Sequence, residues 1–215
     1  MSEHLAGFGA SFEEMSDDGL DRVKRLYAPL TDAVRDLIDA TIWTEADDDI
    51  VEEARIAIEA AARALRHKTR PAGMSYVVDG RPLPLGNAAI GLCNPIAPPL
   101  VVHHRPGQEG CWTEFDLGWA YEGPPGLVHG GVSALVLDHV LGEAASQGLA
   151  KPRFTGTITV RYLRGTPLGP LRAEAVIDRT EGVKTFARGF IADANGITVE
   201  AEGVFIQPAW ARGAE

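Results

Sequence analysis

Cysteine is nearly absent: Cys93 and Cys111 are the only two in 215 residues. They form no C-x-x-C pair and are too few for a disulfide framework, so both are expected to be small, half-buried thiols. Long apolar runs are absent as well. No stretch approaches the roughly 18 to 20 residues needed to span a bilayer. The opening MSEHLAGFGASFEEMSDDG places acids and glycines where a signal peptide requires a basic start and an apolar run, so the expected location is cytoplasmic. Basic residues are the third shortage, with 20 Lys and Arg against 30 Asp and Glu, a net charge of −10. Residues 1–66 carry 16 acids and 7 bases, whereas 67–215 carry 14 and 13. An acidic N-terminal third is repelled by phosphate backbones, so no nucleic-acid partner is expected. What is present is globular: 45% hydrophobic and 23% charged residues, in a length that suits one domain with an appendage.

Residues 16–42 place Leu20, Val23, Leu26, Tyr27, Leu30, Val34, Leu37 and Ile38 at helical spacing. Ser16 or Asp17 is the expected N-cap, and Pro29 a break or kink. Residues 45–68 repeat the pattern, with acids at the start and bases at the end, as the helix dipole favours. A helical N-terminal arm is therefore expected over 1–70 and a second domain over 71–215. Residues 69–99 are rich in Pro and Gly and read as loops around one short strand at 74–78. After residue 100 the texture becomes strand-like, interrupted by a helix from about 130 to 147. Four more strand-like runs follow, TGTITVRYLR, LRAEAVIDRT, KTFARGFIAD and ITVEAEGVFI, separated by GTPLGP, EGV and ANG, turns suited to antiparallel neighbours. One long helix inserted early into an antiparallel sheet is an α+β arrangement.

The chemistry concentrates in YEGPPGLVHGGVSALVLDHVLGEAA, residues 121–145. Gly130 and Gly131 let the chain turn tightly and leave helix-start N–H groups uncovered at the positive end of the dipole. Such donors suit a carbonyl oxygen that gains negative charge during acyl transfer. Asp138 shares its helical face with Ala134, Leu135, Leu141, Gly142 and Ala145. A carboxylate there is partly desolvated, which raises its basicity and marks a candidate base or nucleophile. Eight residues of helix separate Gly130 from Asp138, about 12 Å at roughly 1.5 Å per residue. One reacting carbon cannot meet both in one subunit. If both act on it they come from two protomers, which requires a two-fold dimer.

EGPPGLVHGG, with Asp nine residues after the His, resembles the hotdog-fold acyl-CoA thioesterases, in the PaaI-like branch. The resemblance covers about residues 73–207 and not 1–70. It implies a hotdog fold, in which a long central helix is wrapped by a curved antiparallel sheet, and homodimers that often pair again into tetramers. It also implies an acyl-CoA substrate and no cofactor. By the same resemblance, Gly130 N–H polarises the thioester carbonyl, Asp138 is base or nucleophile, and His129 orients its loop by hydrogen bonds. A hydroxyl residue opening the next strand positions water or the carboxylate. Thr155 is the best match, with Thr157 second on the expectation that the two share a face. Many members carry Asn at the position of Gly123, which the EGPP form replaces.

Ser133 lies outside a G-x-S-x-G elbow, which argues against a serine hydrolase. His103, His104, His129, Asp138 and His139 lack ligand spacing, so no metal site is expected. The basic residues of 151–188 read either as the solvated face of a sheet or as a grip on coenzyme A phosphates. Lys151, Arg153 and Arg164 are the candidates for the second role, together with Gly131 at the helix start. The expected activity is hydrolysis of an acyl-CoA to free acid and coenzyme A. The alternative is a non-catalytic acyl-CoA-binding or sensing protein with a regulatory helical arm.

Overall fold

The computed structural model describes residues 11–71, 74–104 and 110–212, so the first ten residues of the expected arm lie outside the described residues. Ser16 caps the first helix, α1 (Asp17–Trp43), its hydroxyl accepting from Gly19 N–H at 3.2 Å. Of the break or kink expected at Pro29, the break does not occur: α1 is continuous through it. Burial of Val23 and Thr31 on either side, with the Thr31 hydroxyl donating to the Leu92 carbonyl at 2.9 Å, offsets the backbone bond that proline removes. A second helix, α2 (Asp48–Leu65), follows a four-residue connection.

Among the described residues, nine strands form two sheets. The smaller joins β1 (Ser11–Glu14) in parallel to β2 (Met74–Val78), which pairs antiparallel with β3 (Arg81–Leu83). The expected boundary at 70/71 thus falls inside a sheet shared by the arm and the residues that follow it. The larger sheet contains β4 (His103–His104), β5 (Gly110–Leu117), β6 (Phe154–Tyr162), β7 (Gly169–Glu181), β8 (Lys184–Asp193) and β9 (Gly196–Ile206). Its order is β4-β5-β7-β8-β9-β6, antiparallel throughout. EGV and ANG make the expected hairpins, but GTPLGP does not: β6 pairs with β9 and lies at the edge. The chain from β6 to β7 must cross three strand spacings, about 14 Å, which six extended residues can span.

The long helix α3 (Gly130–Ser146) lies against one face of this sheet. Val136, Leu137, Val140 and Leu141 are fully buried against Leu171, Ala173, Ala175, Ala187, Ile191, Val199, Ala201 and Phe205. Each large side chain so buried contributes roughly 2 kcal/mol. The alanines keep the strands' inner face shallow, which lets the sheet curve around the helix. This is the hotdog arrangement. α3 ends where Gln147 turns left-handed (φ 52°), with Gln147 N–H bonded to Ala144 O and Gly148 N–H to Glu143 O.

Beyond β6, Arg164 grips the β8–β9 hairpin. Its Nη1 and Nη2 donate to the two Asp193 carboxylate oxygens at 2.9 and 2.5 Å, and Nη2 also donates to the Gly196 carbonyl at 2.7 Å. The Arg164 guanidinium holds the Asp193 carboxyl down at about 2. The contact therefore stabilises the fold fully above the unfolded aspartate value of about 3.9 and is lost as pH falls through the lower folded value. Asp193→Asn should lower Tm at neutral pH. The gap from wild type, followed by circular dichroism, should close between about pH 4 and pH 2.

Candidate active site

The EGPP segment is a tight turn held by its own groups. Gly123 N–H donates to Leu127 O at 2.9 Å, and Gly126, with φ +75°, donates its N–H to Glu122 Oε1 at 2.6 Å. A Cβ on Gly123 would sit 2.7 Å from the Cα of His129. Glycine is therefore required for the turn to pass beneath the histidine, a physical reason for Gly in place of Asn in this form of the motif. The GTPLGP crossover closes over the turn from the other side: Val128 N–H bonds to Thr166 O at 2.8 Å and Leu168 N–H to Gly126 O at 3.1 Å.

His129 is locked by both main chain and ring. Its N–H donates to Tyr121 O at 2.9 Å, and its Nδ1 accepts from Gly131 N–H at 3.0 Å as the N-cap of α3. An accepting Nδ1 leaves the proton of the neutral ring on Nε2. This corrects one expectation: Gly131 N–H is already taken by the imidazole and is not a free substrate donor. The Gly130 N–H, by contrast, donates to no acceptor among the described residues. Its carbonyl accepts from the Tyr162 hydroxyl at 2.8 Å, and a Cβ at 130 would lie 3.3 Å from the Tyr162 ring. Sequence reasoning misses Tyr162. Its signal is an inward register on β6 after Ile158 and Val160, visible only once the strand's phase is known.

Further along α3, Asp138 Oδ1 accepts from the Thr155 hydroxyl at 2.8 Å. Asp138 is half-buried and Thr155 exposed, so the pair sits at the rim of the apolar stripe and opens to solvent. Thr157, expected on the same face, is on the other side. A β-bulge between Thr155 and Thr157 inserts Gly156, so Thr155 pairs with the inward Phe205 and Thr157 with the outward Val204. Thr157 instead lines a cleft on the outer surface of the sheet with Asp178, Arg179 and Phe186.

The basic residues divide in the same way. Arg164 is committed to Asp193 and Gly196, which removes it from phosphate binding. Arg172 binds Glu174 and Glu114 at 2.7 and 2.8 Å, and Arg179 binds Glu181 and Asp178 at 2.6 and 3.0 Å. These are ion pairs of a solvated sheet. Arg153 donates from Nε to the Thr185 hydroxyl at 3.1 Å and from Nη1 to Pro152 O. Lys151 is exposed at the end of the loop after α3, four residues before Thr155.

The other histidines are separately employed: His103 stacks on Trp112 at 4.5 Å and His104 Nε2 lies 3.0 Å from Glu143. Burial holds the His139 imidazole below its ordinary pKa, and its Nε2 is enclosed without a hydrogen bond among the described residues. No group of three or more His, Cys, Asp or Glu among the described residues could hold a metal ion. Cys111 is buried, its thiol donating to Val140 O and pushed up to about 12 by burial, which makes it unreactive.

Residues 125–200, from the end of the EGPP turn into the first half of β9, match the family model described as the thioesterase superfamily. A thioesterase superfamily protein of known crystal structure is 32% identical, with a TM-score of 0.73, over 84% of this chain and 90% of its own. The chain belongs to the thioesterase superfamily. Because residues 71–215 make up only about two-thirds of the chain, a match of 84% must reach into the helical arm, beyond the expected limits of the resemblance. Among curated proteins, acyl-coenzyme A thioesterase THEM4 of Xenopus laevis is 33% identical over 96 residues, 43% of each chain. The chain therefore matches less than half the length of that relative.

Replacing His129 tests the cap. His129→Ala should lower stability by about 1 kcal/mol, whereas His129→Asn, a good N-cap, should recover most of the loss in urea unfolding.

Proposed function

We propose that this thioesterase superfamily member hydrolyses an acyl-coenzyme A thioester at two equivalent sites on a two-fold homodimer. The observation that carries this is the pairing of two half-sites along one helix. A donor-bearing start at His129–Gly130 and a carboxylate–hydroxyl pair at Asp138 and Thr155 lie about 12 Å apart by helix rise. β6 links them. Its last residue touches Gly130 and its second touches Asp138. β6 is also an edge strand of nine residues, with Phe154 and Tyr162 exposed, the kind of edge that sheets cover by pairing with another chain. Antiparallel pairing of β6 with its copy would bring the helix start of one protomer toward the carboxylate of the other.

In that arrangement the thioester oxygen points at Gly130 N–H and the carbonyl carbon faces the partner's Asp138. Thr155 holds one Asp138 oxygen and leaves the other free. As a general base, that oxygen takes a proton from water as the water oxygen attacks the carbonyl carbon. The negative charge moves to the carbonyl oxygen, where the helix-start N–H and dipole stabilise it. Collapse re-forms the carbonyl, breaks the C–S bond and releases coenzyme A as thiolate, which takes up the proton from Asp138. Direct attack by the carboxylate, with water then hydrolysing the anhydride, uses the same groups. Lys151 and Arg153, just before Thr155, are the cations nearest this carboxylate in sequence and fit phosphate recognition.

Asp138→Asn should lower kcat by about 10²- to 10⁴-fold in a thiol-release assay, the range for loss of a general base, with the fold intact by circular dichroism. Thr155→Ala should cost part of that, and Thr157→Ala on the opposite face should be near wild type. Full activity of Asp138→Asn across short, long and aromatic acyl-CoAs would sink the mechanism. The sensing alternative draws on the outward-facing helix α2. It requires acyl-CoA binding without thiol release by the wild-type chain.

A further inference from the structure

α2 is a helix whose sequence asks for a partner that it lacks among the described residues. No residue of the helix is buried, and it packs substantively on no other element among the described residues. Yet it is strongly two-sided. Val51, Ala54, Ile58, Ala61 and Leu65 repeat at spacings of three and four, the seam of a two-helix coiled coil. Ile50, Ala57 and Ala64 widen the seam. Glu52, Arg55, Glu59 and Arg63 lie on the opposite side, tied to one another by ion pairs along the helix. Val51, Ile58 and Leu65 are 47%, 40% and 56% exposed. Amphipathic helices in proteins draw most of their stability from packing the apolar face, and this 18-residue helix has none of that packing from its own described chain.

Charge decides what covers it. The chain at the start of the helix carries Glu45, Asp47, Asp48, Asp49, Glu52 and Glu53 with no base. From Arg63 onward it carries Arg63, Arg66, Lys68 and Arg70 with no acid as far as residue 71. A second α2 laid antiparallel sets each acidic end, at its helix N-terminus, beside the other's basic end. A parallel copy sets like on like. An anionic lipid surface is disfavoured by the six acids of the first half. The alanines in the seam let two helices approach toward the short end of the usual range of about 8–10 Å.

We propose that α2 is a self-association surface that pairs antiparallel with α2 of a second copy of this chain, its two-fold axis passing near Ala57–Ile58. The contact lies outside the proposed catalytic groups, so the two readings fail separately.

The test is site-specific crosslinking of the full chain under mild oxidation, with peptide mapping of the link. Ala57→Cys, beside the axis, should link to the same position of a second copy in high yield. Val51→Cys alone should not, but mixed with Leu65→Cys chains it should form the heterologous link. Ile58→Asp should reduce the mass measured by light scattering, or raise the dissociation constant of self-association at least tenfold, without changing kcat for thioester hydrolysis. Raising ionic strength should weaken the wild-type contact. Efficient self-linking of Val51→Cys would show parallel pairing and overturn the proposal. So would an unlinked Ala57→Cys together with an unchanged mass for Ile58→Asp. A link formed only when Leu30→Cys chains are mixed with Ala57→Cys chains would assign α1 as the occupant and equally overturn it. Because α2 packs substantively on no other described element of its own chain, the α2 variants leave the rest of the fold in place, and the α2 cysteine variants keep the seam itself.

Discussion

Enclosure of α3 by the large sheet is the constraint from which the rest follows. The helix is apolar on nearly every side, so it is stable only when surrounded, and a six-stranded sheet with a shallow alanine-rich inner face surrounds it. That enclosure is incomplete along β6, the last strand. There the helix shows Gly130 at one end and Asp138 near its middle, each touched by a β6 side chain. The open side of the core and the chemically able groups therefore coincide. A carboxylate can sit on this helix only where the sheet stops covering it.

The helix start is rigid for reasons that lie far from it in sequence. The EGPP turn, the GTPLGP crossover and the backbone of Tyr121 all bond to the segment around His129. Tyr121 is in turn held from outside, its hydroxyl donating to Ala97 O at 2.9 Å, while Trp119 next to it packs edge-on against Trp43 of α1 at 4.6 Å. The arm is thus continuous with the loop that carries the histidine, which agrees with a solved relative whose similarity extends into the arm. Its two helices serve different purposes. α1 packs on the domain, and α2 offers its apolar seam outward.

A single residue separates the two threonines. Gly156 in the bulge advances β6 by one position without advancing β9, so every side chain after it changes face. Alternation counted from Thr155 would put Thr157 beside the carboxylate and Tyr162 outside. The bulge does the reverse, giving Thr155 to Asp138 and Tyr162 to Gly130. The site thereby gains two buttresses from one strand, one at the start of the helix and one near its middle.

What the sequence determined by itself was local or periodic. Helical spacing located α1, α2 and α3 and the apolar face of α3, and narrowed the first cap to Ser16 or Asp17. His-Gly-Gly and Asp138 declared a helix start and a misplaced charge, and the helix rise alone separated them. Short turns located two hairpins. Tertiary structure alone decided what depended on partners distant in the chain. Arg164 reads as a free cation until Asp193, 29 residues away, takes it. Pro29 reads as a break or kink, and packing carries the helix through it unbroken. Strand order, with β6 at the edge rather than beside β7, belongs to the same class. A six-residue link satisfies its own turn chemistry equally well as hairpin or crossover, and only burial of α3 beneath the whole sheet selects between them.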